Sequence, residues 1–235
     1  MSKGKLFLIP NTIGGEYAGC TPSATLQRIE HIRIFVVEEL RSARRFLKGI
    51  GYPTDFEEVE FHLLNEHSDQ GTASKLLLPL KKGLDIGLIS EAGCPAIADP
   101  GEDLVQLAHE EGVHIVPLIG ASSILLTLMA SGLNGESFAF TGYVPKESDN
   151  RIKRIRQLES FALQSGQTQL FMDAPYRNNA LMGDLVANLK STTRICVAAD
   201  LTTNTEYIRT RTAGDWKKQN VPDLHKRPVM FAIGT

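Results

Sequence analysis

The strongest constraint on this chain is a regular alternation between short apolar runs and amphipathic stretches of helical length, sustained from Leu6 to Ala130. Leu6–Ile9, Ile34–Val37, Val59–Leu63, Ile86–Ile89 and Val113–Leu118 have the length and apolar content of strands. Residues 39–48, 70–82, 102–111 and 122–130 carry helical patterning. A further helix opens at Thr21-Pro22, with Thr21 the expected N-cap and Pro22 the first helical residue. Gly49 with Gly51, Gly112 and Gly132 close three of these helices. Strands separated by whole helices do not pair as hairpins, so the pattern implies a mostly parallel sheet covered on both faces.

Past Leu133-Asn134-Gly135 the rhythm changes. Phe138–Thr141, Leu170–Met172, Ile195–Ala198, Thr205–Thr212 and Val229–Ile233 read as strands, with helices at Arg151–Leu163 and Asn178–Asn188. Adjacent strands without long intervening helices suggest a mixed sheet. The expected architecture is α/β with two domains, residues 1–118 on a mostly parallel sheet and 119–235 on a mixed one. A length of 235 residues suits two such lobes.

Composition excludes several classes. Cys20, Cys94 and Cys196 are widely spaced and form no C-x-x-C pair, so neither a disulfide framework nor a thiolate zinc site is indicated. That usage fits a reducing cytosol. The apolar run near the N-terminus is too short for a signal-peptide core. The stretch 124–133, broken by Thr127, Ser131 and Gly132, is too short to span a bilayer. A cytoplasmic protein is expected. The net charge of -2 hides an asymmetry: 14 Lys/Arg against 9 Asp/Glu from Tyr143 onward, and 11 against 18 before it. This split hints at an anionic partner for the second lobe, with nucleic acid and a merely solvated basic face equally open.

Three loops follow strands and concentrate small residues. Pro10–Gly15 offers glycines for close backbone approach to a ligand, although a plain turn explains it as well. Ser90–Gly101 is long for a connection after a buried strand, and open α/β sheets hold ligands at such carboxyl ends. Glu91 at its start suits a ligand's hydroxyls or a cationic group. Gly120–Ser123 places small residues and free N–H groups at a helix start, where an ordinary serine cap is the simpler account. There is no G-x-x-x-x-G-K-[ST], no G-x-G-x-x-G after a strand and no H-E-x-x-H. The six histidines show no ligand spacing, and Glu66-His67 is the one acid–imidazole pair near a strand end.

At these loops the chain resembles a known family. The segment Ser90-Glu91-Ala92-Gly93-Cys94-Pro95-Ala96-Ile97-Ala98-Asp99-Pro100-Gly101 is similar to the Ser-Asp-Ala-Gly-x-Pro-x-Ile-x-Asp-Pro-Gly loop of the small-subunit ribosomal RNA ribose 2'-O-methyltransferases, within the tetrapyrrole methylase superfamily. Pro10–Gly14, Glu38–Arg41, Asn65–His67, Pro117–Leu133, Phe140–Lys146 and Phe171–Arg177 resemble further motifs of that family. Glu91, Leu40, Asn65 and Ala199 depart from its pattern.

The resemblance implies a two-domain tetrapyrrole-methylase-like fold and an S-adenosylmethionine-dependent methyltransferase acting on small-subunit ribosomal RNA, as a homodimer. It implies cofactor contacts from Ile13, Glu91, Gly93, Cys94, Ser122 and Ser123 in the first lobe, with Asp173, Ala174, Ala199 and the backbone near Pro228 closing the cleft from the second. It puts Glu39, Glu66 and His67 where a proton acceptor or orienting group would stand, and Arg41 where a phosphate would be anchored. Arg151, Lys153, Arg154, Arg156 and Arg177 are the expected RNA contacts. Neither a metal nor a covalent intermediate is required, because holding the two reactants in near-attack geometry supplies much of the barrier reduction. Two alternatives remain: an enzyme of the same superfamily acting on a small molecule such as a tetrapyrrole, and a non-catalytic cofactor- or RNA-binding relative.

Overall fold

Alternation along the strands of the first half sorts its apolar side chains onto two faces. The computed structural model describes residues 2–65, 68 and 71–235. Residues 1–122 and 123–235 form two compact units.

The first unit contains β1 (Lys5–Ile9), α1 (Tyr17–Cys20), α2 (Ser23–Ile29), β2 (Ile34–Val37), α3 (Leu40–Gly49), β3 (Glu60–Leu63), α4 (Thr72–Lys81), β4 (Ile86–Ile89), α5 (Glu102–Glu110) and β5 (His114–Pro117). Its sheet runs in the order β3-β2-β4-β1-β5, and every neighbouring pair is parallel. Phe7, Ile9, Phe35, Val37 and Ile89 pack with Ile29 of α2 and Ala43, Phe46 and Leu47 of α3. Leu6, Ile34, Val36, Ile86 and Leu88 pack on the opposite face with Leu76, Leu77 and Leu80 of α4 and Leu104 and Ala108 of α5. The period-2 strands thus feed two separate cores, each large side chain contributing about 1.5–3 kcal/mol on burial.

The second unit contains α6 (Ser123–Ser131), β6 (Phe138–Tyr143), α7 (Ser148–Ser165), β7 (Thr168–Met172), α8 (Asn178–Asn188), β8 (Arg194–Ala199), β9 (Tyr207–Thr212), α9 (Ala213–Lys217) and β10 (Val229–Gly234). Its sheet is mixed, in the order β6-β7-β10-β8-β9. β6 runs parallel to β7, whereas β10 is antiparallel to both β7 and β8, and β8 to β9. One face carries a core of Phe171, Val197, Phe231 and Ile233 with Ile155 and Leu158 of α7, Leu181 and Leu185 of α8, and Trp216 of α9. Trp216 Nε1 donates to the Ile195 carbonyl at 3.0 Å, which satisfies the one polar atom of that fully buried side chain.

The structure differs from the sequence expectation in detail. Thr21 does not N-cap a helix; it is the C-cap that terminates the four-residue α1, and Pro22 occupies the N-cap position of α2. Gly87 in β4 has no room for a side chain: a Cβ there would lie 2.7 Å from both Ile9 Cδ1 and Phe35 Cδ1. Gly87→Ala should therefore cost about 1–3 kcal/mol through overpacking. Urea unfolding checks this, and a loss below about 0.5 kcal/mol would show that the α2–α3 face repacks freely.

Candidate active site

The three small-residue loops leave the carboxyl ends of β4, β1 and β5, which are neighbours in the sheet. Asn11, 4% exposed, ties the first loop to the second. Its Nδ2 donates to the carbonyls of Ser90 at 3.1 Å and Glu91 at 2.8 Å, and its Oδ1 accepts from the Thr12 N–H at 2.7 Å. The Asn11 N–H donates to the Gly93 carbonyl at 2.9 Å, and Ser90 Oγ donates to the same oxygen at 2.7 Å. The third loop closes from the other side. Cys94 Sγ lies 3.5 Å from the Ala121 carbonyl, and a Cβ on Gly120 would collide with the Pro10 ring.

Gly93 has φ +74°, and a Cβ there would stand 3.4 Å from Ile13 Cγ2 and 3.8 Å from the Ala121 oxygen. The three loops therefore converge on a small backbone-lined cradle around Gly93. Ala96 (φ 62°), Ala98 (φ 58°) and Gly101 (φ 125°) continue the same loop in the left-handed half of conformational space. Such backbone is costly for alanine and persists only where the surroundings hold it, and it gathers at ligand sites.

Carboxyls gather beside the cradle. The Glu91 N–H donates to Glu38 Oε2 at 3.3 Å, and Ser42 Oγ, in the first turn of α3, donates to the Glu91 carbonyl at 3.4 Å. Half-buried Asp99 is pushed up to about 7, first by burial and then by the charges of Glu38 and Glu91. Burial also pushes the Cys94 thiol up, against a hydrogen bond from Ser122. The thiol is thus neutral at physiological pH and unsuited to nucleophilic work.

Glu39 caps α3, its two oxygens accepting from the N–H groups of Arg41 at 2.9 Å and Ser42 at 2.5 Å. Those bonds hold its carboxyl below the usual range. Arg41 is exposed in the first turn of the same helix. Glu66 and His67 lie outside the described residues.

On the second unit, Ser123 opens α6. Asp173 and Ala174 follow β7, Ala199 ends β8 and Pro228 precedes β10; pairing of Val229 with Ala199 and of Met230 with Met172 brings them to one edge of the sheet. Asp173 is buried, and its Oδ1 accepts from the Ala174 N–H and Arg177 Nε, both at 2.8 Å. Its Oδ2 is buried with no partner among the described residues.

Two of the basic residues expected at an RNA surface are turned inward. Arg151 is 6% exposed and donates to Asp184 at 2.7 Å and to the Lys146 carbonyl at 2.8 Å. Arg177 is ion-paired with Asp173 and lies over the Tyr176 ring at 5.1 Å. The reason for Arg151 is helical period: it shares the inner face of α7 with Ile155 and Leu158. Lys153, Arg154 and Arg156 face outward, with Arg154 bonded to Gln157 and Arg156 to Asn188, at 2.8 and 2.9 Å. Asn11, Glu38 and Asp99 lie inside the motifs that carry the resemblance but outside the site residues expected from it. A polar side chain within an otherwise small, apolar loop is the signal that points to them.

No protein-family model matches the chain. Among solved structures, it superimposes on the methyltransferase CobJ with a TM-score of 0.65 at 16% identity, covering 99% of this chain and 94% of that one. A uroporphyrin-III-C-methyltransferase from Thermus thermophilus gives a TM-score of 0.58 at 15% identity, with the same coverage. The chain thus has the tetrapyrrole methylase fold. Sequence relatives narrow this further. The ribosomal RNA small subunit methyltransferase I of Haemophilus influenzae is 31% identical over 223 residues, 95% of this chain and 75% of that protein. Its namesake in Escherichia coli O157:H7 is 29% identical over 222 residues, 93% and 74% respectively. The chain belongs to the ribosomal RNA small subunit methyltransferase I family, and it is a methyltransferase.

Asp99 gives this site a pH signature. Its carboxyl ionises near 7 in the folded chain and near 3.8 when unfolded, so ionisation penalises the fold progressively as pH rises between those values. Asp99→Asn should be more stable than the native chain at pH 8 by on the order of 1 kcal/mol, after allowing for solvent screening, and the gap should close toward pH 4. Thermal melts across that range test it; a gap independent of pH would refute the assignment.

Proposed function

We propose that this methyltransferase moves the methyl group of S-adenosylmethionine to a ribose 2'-hydroxyl of small-subunit ribosomal RNA, working in the cytoplasm as a homodimer. The observation that carries the reading is the lock of the Ser90–Gly101 loop onto Pro10–Gly15 and Gly120–Ser123, in a chain whose relatives are named as small-subunit ribosomal RNA methyltransferases.

The residues at the cradle fit the cofactor. The Ala121 oxygen and the Ser122 hydroxyl can meet an adenosyl group's polar edge, while Ile13 offers apolar contact. Glu38, Glu91 and Asp99 make the surroundings anionic, which suits a ligand bearing sulfonium and ammonium charges. When bound, S-adenosylmethionine supplies an electrophilic methyl group. The protein's part is to orient, to keep water out and to take up the hydroxyl proton.

Glu39 is a poor proton acceptor here, because the N–H groups it caps favour its ionised, weakly basic form. Its role is to fix the first turn of α3 and so to aim Arg41 at a phosphate. Glu66 and His67 then remain the candidates for the proton.

Radiolabelled S-adenosylmethionine and small ribosomal subunits lacking the modification test the reading. Label recovered in ribose of the small-subunit RNA is expected, and donor binding with no label in RNA would overturn it. Glu39→Gln, which keeps an oxygen acceptor, should retain turnover within a few-fold, whereas Glu39→Ala, which removes both cap acceptors, should lower the midpoint of thermal unfolding. A collapse of turnover in Glu39→Gln with the fold intact would make Glu39 the base instead.

A further inference from the structure

The first half of the chain is acidic as a whole, yet four of its eleven basic residues lie on one helix. Arg41, Arg44, Arg45 and Lys48 are exposed on α3, whose Ala43, Phe46 and Leu47 are buried. α3 itself contains no acidic residue. None of the four cationic side chains makes an ion pair or hydrogen bond among the described residues. The guanidinium of Arg44 lies 5.2 Å from the Phe61 ring centroid and 5.8 Å from that of Phe56, and the side chains of Arg41 and Arg45 feel the charge of the cap residue Glu39 without bonding to it. This contrasts with α7, where Arg151 is ion-paired and Arg154 and Arg156 are bonded to neighbouring side chains.

Position adds to charge. α3 starts beside the cradle, where Ser42 Oγ reaches the Glu91 carbonyl. From Arg41 to Lys48 the row extends about 10 Å along the helix axis, at 1.5 Å per residue. At about 3.4 Å per stacked nucleotide, that is the reach of some three consecutive phosphates.

We propose that the outer face of α3 is the RNA-binding surface of this methyltransferase, with Arg44, Arg45 and Lys48 taking successive phosphates next to the nucleotide being modified. The inference rests on the RNA-methyltransferase reading above and names the surface that reading leaves open. It assigns the RNA to the lobe of net negative charge, where local geometry outweighs the total. The Glu38 and Glu91 carboxyls at the near end of the row repel the phosphate chain, so the backbone follows the cations outward while the ribose approaches the cofactor held at the cradle.

The test is salt dependence. Binding of the intact protein to a single-stranded fragment of small-subunit ribosomal RNA is measured over a range of salt concentrations. R44Q/R45Q/K48Q should flatten the slope of log affinity against log salt by about 2, at roughly 0.7 for each phosphate no longer neutralised. Affinity for S-adenosylmethionine should be unchanged, which also verifies the fold. R44K/R45K should retain the native slope. R45Q/K48Q spares the Arg44 stack on the two rings and should flatten the slope by about 1.4, so a misfolded triple variant leaves the question answerable. K153Q/R154Q/R156Q on α7 should leave the slope as it is. A native slope in the α3 variants, with the native chain still methylating ribosomal RNA, overturns the surface and spares the activity. A native chain that neither binds nor methylates this RNA overturns both.

Discussion

Asn11 is the hinge on which the site depends. A parallel sheet ends in unpaired carbonyl and amide groups, and those of three neighbouring strands would otherwise need water or a partner. One carboxamide meets the carbonyls of Ser90 and Glu91 and the amide of Thr12, while its own main chain pairs with Gly93. This arrangement frames two of the loops, and the third closes on them through Cys94 and the Pro10 ring. Serine or threonine in place of Asn11 could not span both carbonyls while accepting from the next amide.

Much of this is visible in the sequence, for reasons that can be stated. Ile34–Val37, Ile86–Ile89 and Asn178–Asn188 have the same bounds in the sequence pattern and in the structure, the two strands because continuous apolar runs leave little choice. α1 and α9 escape the pattern, since elements of four or five residues are set by tertiary contact. Thr21-Pro22 misleads because the cap rule describes a local preference, and here Thr21 is already engaged in closing α1. The site is legible as loops, through motif resemblance, but not as chemistry. Nothing in the spacing of Glu38, Glu91 and Asp99 announces that folding will half-bury Asp99, and set the other two beside it, so that its carboxyl is pushed up to about 7.

Arginine is the residue type least readable from sequence. A tally by halves points to the second lobe, yet burial withdraws Arg151 and an ion pair withdraws Arg177. Long side chains make this ambiguity general: the same residue can cement two helices or wait at a surface, and only its partners tell which. In α3 the distinction follows from the lack of ion pairs to its cations among the described residues, and in α7 from Asp184.

The central place of β10 bears on how this chain comes into being. β10 is buried along its whole length and lies between β7 and β8, which join one sheet only through it. The first unit closes its sheet using strands made early, so it can fold while synthesis continues. The second must wait for residues 229–234, holding two hydrophobic strand edges open in the meantime. During that interval the nascent chain is half enzyme and half unprotected sheet, and the burden on chaperones falls on one lobe alone.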